Sequence, residues 1–238
     1  MIAAAPPPAI AGSAPVLAQL AVMVPQAVAA VRGSLTHTGL RDESLLFKTV
    51  LTEALGGSPV RPWRLQGVRD GTATILGYAT QDAEALRERL AFALPALQQA
   101  LAVVGTAPMP PLRDGQPLRF RVRLVPTVRQ TGKGEIDALL YAVRQAPDGQ
   151  HSRAQVYAGY LTERLLGASV QELRLDGARL TGMVRRQGNG WTERVFPVAD
   201  MAGVLTVTDS VQFAATLAQG LGRQRGFGFG FIRLEPTN

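Results

Sequence analysis

An α+β chain built of two similar units in tandem is what the sequence predicts, and three observations predict it. Apolar residues recur with a period of two, then near 3.6, then two again, and this alternation runs twice through the 238 residues. A proline-rich stretch, Pro108-Met109-Pro110-Pro111 followed by Asp114-Gly115, divides the two runs. With 46% hydrophobic and 18% charged residues, the chain has apolar surface for one large core or two units of about a hundred residues each, and it is no disordered tail.

Met1 to Val31 carries no charge. A signal peptide needs a basic start and an unbroken apolar core, and a bilayer helix needs about twenty apolar residues; Pro6, Pro7, Pro8, Pro15 and Pro25 interrupt both. Residues 1–14 are therefore expected to be a disordered leader and 16–24 a buried first strand, in a cytoplasmic protein without membrane contact. Arg32, Gly33 and His37 fall in the loop that follows. From 42 to 55, Leu45, Leu46, Val50, Leu51 and Leu55 take helical spacing, with Asp42 or Ser44 as cap and Gly56-Gly57 as stop. Segments 63–66 and 72–78 pair as a hairpin on Asp70-Gly71, and 81–94 forms a second helix. Strand, helix, strand, strand, helix is most of a ferredoxin-like unit, assigned to 15–107, with 108–117 as linker.

The order then repeats over 118–238. Phe120, Val122 and Leu124 alternate with Arg119, Arg121 and Arg123, which describes a half-buried strand with one arginine-lined face. A helix over 153–166, strands over 170–186 and 195–207 about Gly188-Asn189-Gly190, a helix from the Asp209 cap to Gln219, and a strand over 229–234 follow. The duplication rests on element order, since no close repeat of sequence is visible.

Zero cysteines exclude disulfides, thiolate metal sites and cysteine nucleophiles, and two histidines form no imidazole cluster. No cofactor and no metal are expected. Lys+Arg at 25 against Asp+Glu at 18 gives +7, and the only lysines are Lys48 and Lys133, so the excess is almost all arginine. Such a field suits a polyanionic partner, although base composition of the genome produces the same bias.

The densest motif is GLGRQRGFGFGF, Gly220 to Phe231. Gly220, Gly222, Gly226, Gly228 and Gly230 permit positive φ and close approach of backbone N–H groups to an anion, and Arg223 and Arg225 supply charge for phosphate oxygens. A dinucleotide fingerprint would follow a strand and open a helix, the reverse of the order here, and a Walker loop would need Gly-Lys-Ser/Thr. Arg225-Gly226-Phe227-Gly228-Phe229 matches the start of the RNA-recognition-motif octamer, but too little chain follows for that fold's last helix and strand.

A tandem ferredoxin-like chain that ends in Gly-x-Gly-Arg-x-Arg-x-Phe-Gly-x-Gly resembles the CRISPR repeat-RNA endoribonucleases, in particular the CasE-like branch associated with type I-E and type IV systems. LRFRVRLVPTVR is similar to the family strand that opens the second unit. TGKGEIDALLYAV with VYAGYLTERL resembles its connecting helical region, and VLTVTDSVQFAATLAQGLGR its last strand, helix and loop. The likeness is good over about 118–236 and fainter before.

The resemblance implies an enzyme that cuts within the CRISPR repeat without metal. The ribose 2′-hydroxyl attacks the adjacent phosphate, leaving a 2′,3′-cyclic phosphate and a 5′-hydroxyl, and the protein stays on the 3′ stem-loop beside other effector-complex subunits. In CasE-like proteins a histidine on the first helix serves, often with a tyrosine one turn earlier. Here the matching positions hold Lys48 and Leu45. Three readings stay open: His37 as a displaced base; a mainly electrostatic set drawn from Arg32, Arg41, Lys48 and Arg223; or a subunit that holds the RNA hairpin without cutting it. The second is preferred. Arg119, Arg121, Arg123, Arg129, Lys133, Arg185 and Arg186 are expected to track the repeat stem beside the glycine loop. Glu135 and Asp137 are expected to sit at a helix N-terminus. Tyr141, Tyr157, Tyr160 and Trp191 are candidates for base stacking, with core packing the simpler reading for Tyr157 and Tyr160.

Overall fold

A computed structural model describes residues 15–236 apart from Thr131, Lys133 and Asn189. The leader expected over 1–14 and the RNA contact expected of Lys133 fall outside the described residues.

β1 (Val16–Met23) runs between β3 (Thr72–Ala79) and β4 (Leu101–Pro108), and β2 (Val60–Arg69) lies beyond β3, an antiparallel order β2-β3-β1-β4. Helices α1 (Val24–Ala30), α2 (His37–Arg41) and α3 (Glu43–Ala54) cross from β1 to β2, and α4 (Ala83–Ala91) with α5 (Pro95–Ala100) cross from β3 to β4. This is the ferredoxin-like order. Asp42 caps α3 by accepting from the backbone N–H of Ser44 and Leu45, and the expected hairpin turns on Asp70 and Gly71, both in left-handed conformation. Four elements differ from expectation: α2 takes in His37, which was expected in a loop, α5 follows α4 as a separate helix opened by Pro95, and α1 and β4 are also new. α1 stands where a loop was expected after β1, because Pro25 occupies the first helical turn, where its missing N–H costs nothing. β4 emerges where no strand was expected, pairing along β1 through a register shift at Gln19/Leu20.

The second unit repeats the order as β10-β5-β9-β8, with β5 (Pro117–Leu124), β8 (Ala168–Gln187), β9 (Gly190–Val207) and β10 (Ile232–Pro236). A ribbon, β6 (Thr127–Gln130) and β7 (Gly134–Asp137), then α6 (Ala138–Gln145) and α7 (Arg153–Thr162), link β5 to β8; α8 (Ser210–Gln219) links β9 to the last loop. Phe120, Val122 and Leu124 are buried, whereas Arg119 and Arg121 face solvent, as the alternation predicts. Glu135 departs from expectation. It pairs with Arg129 in the ribbon, because Gly134 opens β7 with positive φ, and the helix begins only at the Asp137 cap.

The two units share buried surface. Tyr78 of the first packs in the core of the second, 4.9 Å from the Phe231 ring, and its hydroxyl donates to the carbonyl of Ile232 at 3.1 Å. In return the β8–β9 hairpin outruns β5, whose pairing ends at Leu124↔Ala199, and the overhang delivers Val184 into the first core. Among the described residues no helix is long and apolar enough to cross a membrane.

Candidate nucleic-acid interface

The loop from Gly220 to Phe231 is shaped by packing before any ligand is considered. Gly220, Gly222, Gly228 and Gly230 have φ of +71°, +69°, +86° and +75°. A Cβ at Gly220 would stand 2.7 Å from Pro62, at Gly222 2.9 Å from the Tyr160 hydroxyl, at Gly228 2.7 Å from the Trp63 ring, and at Gly230 against the Leu221 carbonyl. At each of these four a larger residue would be strained both by the positive φ and by the close neighbour. Gly226 is different: its φ is ordinary and a Cβ there would meet nothing within 4 Å. The loop is pinned near its C-terminal end and at its middle, since Gly230 N–H donates to the Arg123 carbonyl at 2.8 Å and Trp63 Nε1 donates to that of Gly226 at 3.2 Å.

Beside this loop a cleft of about 990 Å³ opens between the units. α3 contributes Lys48, the approach to β2 Ser58, the start of β2 Arg61, the ribbon Arg129 and Glu135, the end of α7 Tyr160, Glu163 and Arg164, and the loop Arg223, Arg225 and Phe227. Six cationic side chains thus face two carboxylates. Burial, then Arg185, then Arg61 push the Lys48 ammonium below a lysine's ordinary pKa, and its Nζ stands 4.8 Å from the Phe227 ring. Burial also lowers Arg225, with Arg61 adding repulsion; its guanidinium donates to the Gln219 carbonyl at 2.8 Å. Arg223 pairs with Glu135 at 2.8 Å, and the Arg164 guanidinium stacks 3.7 Å from the Tyr160 ring.

Arg185 departs from the expected phosphate contact. Its side chain is 10% exposed, because NH1 is held by Asp42 at 3.0 Å and Nε by Gln224 Oε1 at 2.9 Å, while the guanidinium covers Phe227 at 3.8 Å. It therefore ties the cap of α3 to the glycine loop. Arg186, the next residue, is exposed.

Of the expected site residues, the fold gathers Lys48, Arg129, Gly220, Gly222, Arg223, Arg225 and Gly226 around one cleft. Arg32, His37 and Arg41 are exposed before α3 and do not line it. Gly228 and Gly230 lie behind the lining, packed on Trp63 and Leu221. Arg119, Arg121 and Arg123 sit on the outer sheet face; Arg123 is held by Asp200 at 2.7 Å. Tyr157 is buried with its hydroxyl on Asp137 at 3.0 Å, and Tyr141 and Trp191 are exposed away from the cleft. Sequence reading missed Arg61, Arg164 and Ser58. Only Arg61 carried a signal, as a lone cation between Gly56-Gly57 and Trp63.

With this geometry in place, a family described as CRISPR associated protein matches residues 41–236. The chain belongs to that family. Its fold is also that of solved CRISPR proteins: the Thermus thermophilus endoribonuclease Cse3 bound to an RNA representing a pre-cleavage complex (TM-score 0.63, 18% identity) and Cas6e of Escherichia coli K-12 (0.53, 16%), each covering 93% of this chain and all of the other. A chain of a CRISPR RNA-guided surveillance complex matches at 0.57 and 13%, with the same coverage. No curated protein matches it. Like these solved structures, the chain is a tandem of ferredoxin-like units, and its own glycine loop lies between the last helix and the last strand.

Proposed function

We propose that this family member binds CRISPR repeat RNA in the cleft beside the glycine loop, cuts it, and keeps the 3′ stem-loop as a subunit of an effector complex. One observation carries the reading: six cations and a phenylalanine converge on a single interdomain cleft, at the loop whose pattern first suggested the family. The likeness to RNA-bound Cse3 and to a surveillance-complex subunit supports it.

In the reaction the 2′-oxygen forms a bond to phosphorus as the bond to the 5′-oxygen breaks; the 2′-hydroxyl gives up a proton and the 5′-oxygen takes one, leaving a 2′,3′-cyclic phosphate and a 5′-hydroxyl. Lys48 suits the second transfer. Its lowered pKa makes the ammonium a stronger acid toward the leaving oxygen, and its charge offsets that growing on phosphorus. Arg61 and Arg223 hold the phosphate oxygens, and Phe227 offers a ring for a base. No histidine lines the cleft, so the reading favours cations over imidazole.

The test is incubation of the repeat RNA encoded beside the gene, in EDTA, with analysis of the product ends. Cyclic phosphate and 5′-hydroxyl ends are expected. Tight binding without cutting would support the second reading, a hairpin-holding subunit, which the Arg223–Glu135 pair and the leucine at the family's tyrosine position favour.

A further inference from the structure

We infer that the open face of the C-terminal sheet is a docking surface for an acidic segment of a partner protein. This face is separate from the RNA cleft, since it carries the residues of β5 that point away from the core, and it stands or falls independently of the RNA reading.

The register builds it. Arg233 of β10 lies directly opposite Arg121 of β5, Arg121 opposite Ala202 of β9, and Ala202 opposite Arg174 of β8, so one row across four strands presents three guanidiniums about a single methyl group. Like charges directly opposite on antiparallel strands destabilise a sheet. One carboxylate, Glu235, serves both members of the Arg121–Arg233 pair, at 3.9 and 3.4 Å, and Asp176 meets Arg174 at 2.6 Å, so the three guanidiniums of the row share two carboxylates and Arg121 remains 54% exposed. Over Arg121, Arg174 and the neighbouring Arg119 lies a groove of about 680 Å³, floored by Ala202, Gly203 and Val204, while Arg233 flanks its Glu235 from outside the lining. A local rule broken at a concave surface points to a ligand that supplies the missing negative charge.

The geometry favours carboxylates on a protein over RNA. Guanidinium forks bind carboxylates in pairs. Residues two apart on a strand stand about 7 Å apart, so Arg119 and Arg121 match alternate acids of an added extended segment or acids one turn apart on a helix. Glu172 and Glu235 in the same lining can accept hydrogen bonds from backbone N–H groups of a polypeptide, which an RNA backbone does not offer. The groove lining also lacks an exposed aromatic ring, the usual platform for single-stranded RNA.

Fluorescence anisotropy of the full chain at low salt tests this with two labelled probes, decaglutamate and decauridylate, and with the repeat hairpin. Arg121→Glu with Arg233→Glu should weaken decaglutamate binding by at least about tenfold and leave hairpin binding unchanged; Arg223→Ala should do the reverse. Arg121→Gln, which keeps the Arg233–Glu235 pair, guards against misfolding: it should weaken the peptide several-fold with a melting temperature equal to or above the parent's. Decaglutamate that binds the parent and the charge-reversed protein equally, or not at all, overturns the proposal. So does parallel loss of decauridylate or hairpin binding, which would make the face an RNA surface.

Discussion

The interdomain cleft and the open face of the C-terminal sheet are both rich in arginine, yet they hold it differently. On the sheet each guanidinium projects from a strand at a fixed interval and carboxylates are interleaved: Asp200 alone receives Arg123 at 2.7 Å, Arg179 at 3.0 Å and Arg64 at 3.8 Å. In the cleft the cations come from five separate stretches of chain and converge on one volume, where burial and the repulsion of neighbouring cations destabilise the charged forms of Lys48 and Arg225. A count of arginines cannot tell these apart. Convergence and desolvation make a place for a concentrated anion, whereas an interleaved lattice suits charges spaced along a polypeptide.

Removing the strut beneath the cleft should break that contrast most severely. Arg185→Ala would take the ion-pair partner from Asp42, whose side chain is 7% exposed but keeps its hydrogen bonds from Ser44, Leu45 and Val184, so the cost should fall toward the low end of the about 3–5 kcal/mol for breaking a buried pair. Urea unfolding should register most of that loss, while Arg121→Gln on the sheet should register none. Equal effects would mean that Arg185 is no strut.

Next in size is the chemical effect of Lys48. Lys48→Ala should slow single-turnover cleavage by about 10- to 1000-fold, the range for losing one charge-stabilising donor, while His37→Ala, Arg32→Ala and Arg41→Ala retain most activity. The pH profile sharpens the assignment. A lysine needed as ammonium loses function as pH rises through its lowered pKa, so the rate should fall on the alkaline side before a normal lysine would titrate, and Lys48→Arg should shift that fall to higher pH. A rate that climbs over the same interval would make Lys48 a base.

A smaller effect should separate binding from catalysis. Arg223→Ala with Arg225→Ala removes two phosphate partners, so the slope of log affinity for the hairpin against log salt should flatten by about 1.4–1.8. Arg119→Ala should leave the slope alone. Smallest is a pair of glycine changes. Gly228→Ala, at φ +86° against Trp63, should lower the melting temperature, whereas Gly226→Ala should not, because nothing stands where its Cβ would go. If Gly226→Ala nonetheless weakens RNA binding, close approach of the RNA backbone is the reason for that glycine.

Much of the fold was legible because its cues are local. Asp42 ahead of Ser44 and Leu45 is an N-terminal cap wherever the helix goes, and Asp70-Gly71 turns a hairpin because both residues tolerate positive φ. Alternation of Phe120, Val122 and Leu124 with arginines defines a strand's two faces without knowledge of its neighbours. α1 escaped notice because Met23 offers no capping side chain and the residues around it are apolar on every side, so helix and strand periodicities look alike there.

Periodicity, composition and the glycine motif by themselves determined that this is a two-unit α+β chain with a basic character and a specialised loop near its C-terminus. Which cations act together was decided only by tertiary structure. Arg185 and Arg186 are the same residue type in adjacent positions, yet one is a buried strut and the other is solvated, because a carboxylate 143 positions away in sequence meets only the first. Arg223 likewise meets Glu135 across 88 residues, and Lys48 meets Phe227 across the domain junction. Strand and helix periods govern which side of an element a residue faces; the packing of two sheets and a long hairpin governs what it faces, and charge, desolvation and pKa follow from that second fact alone.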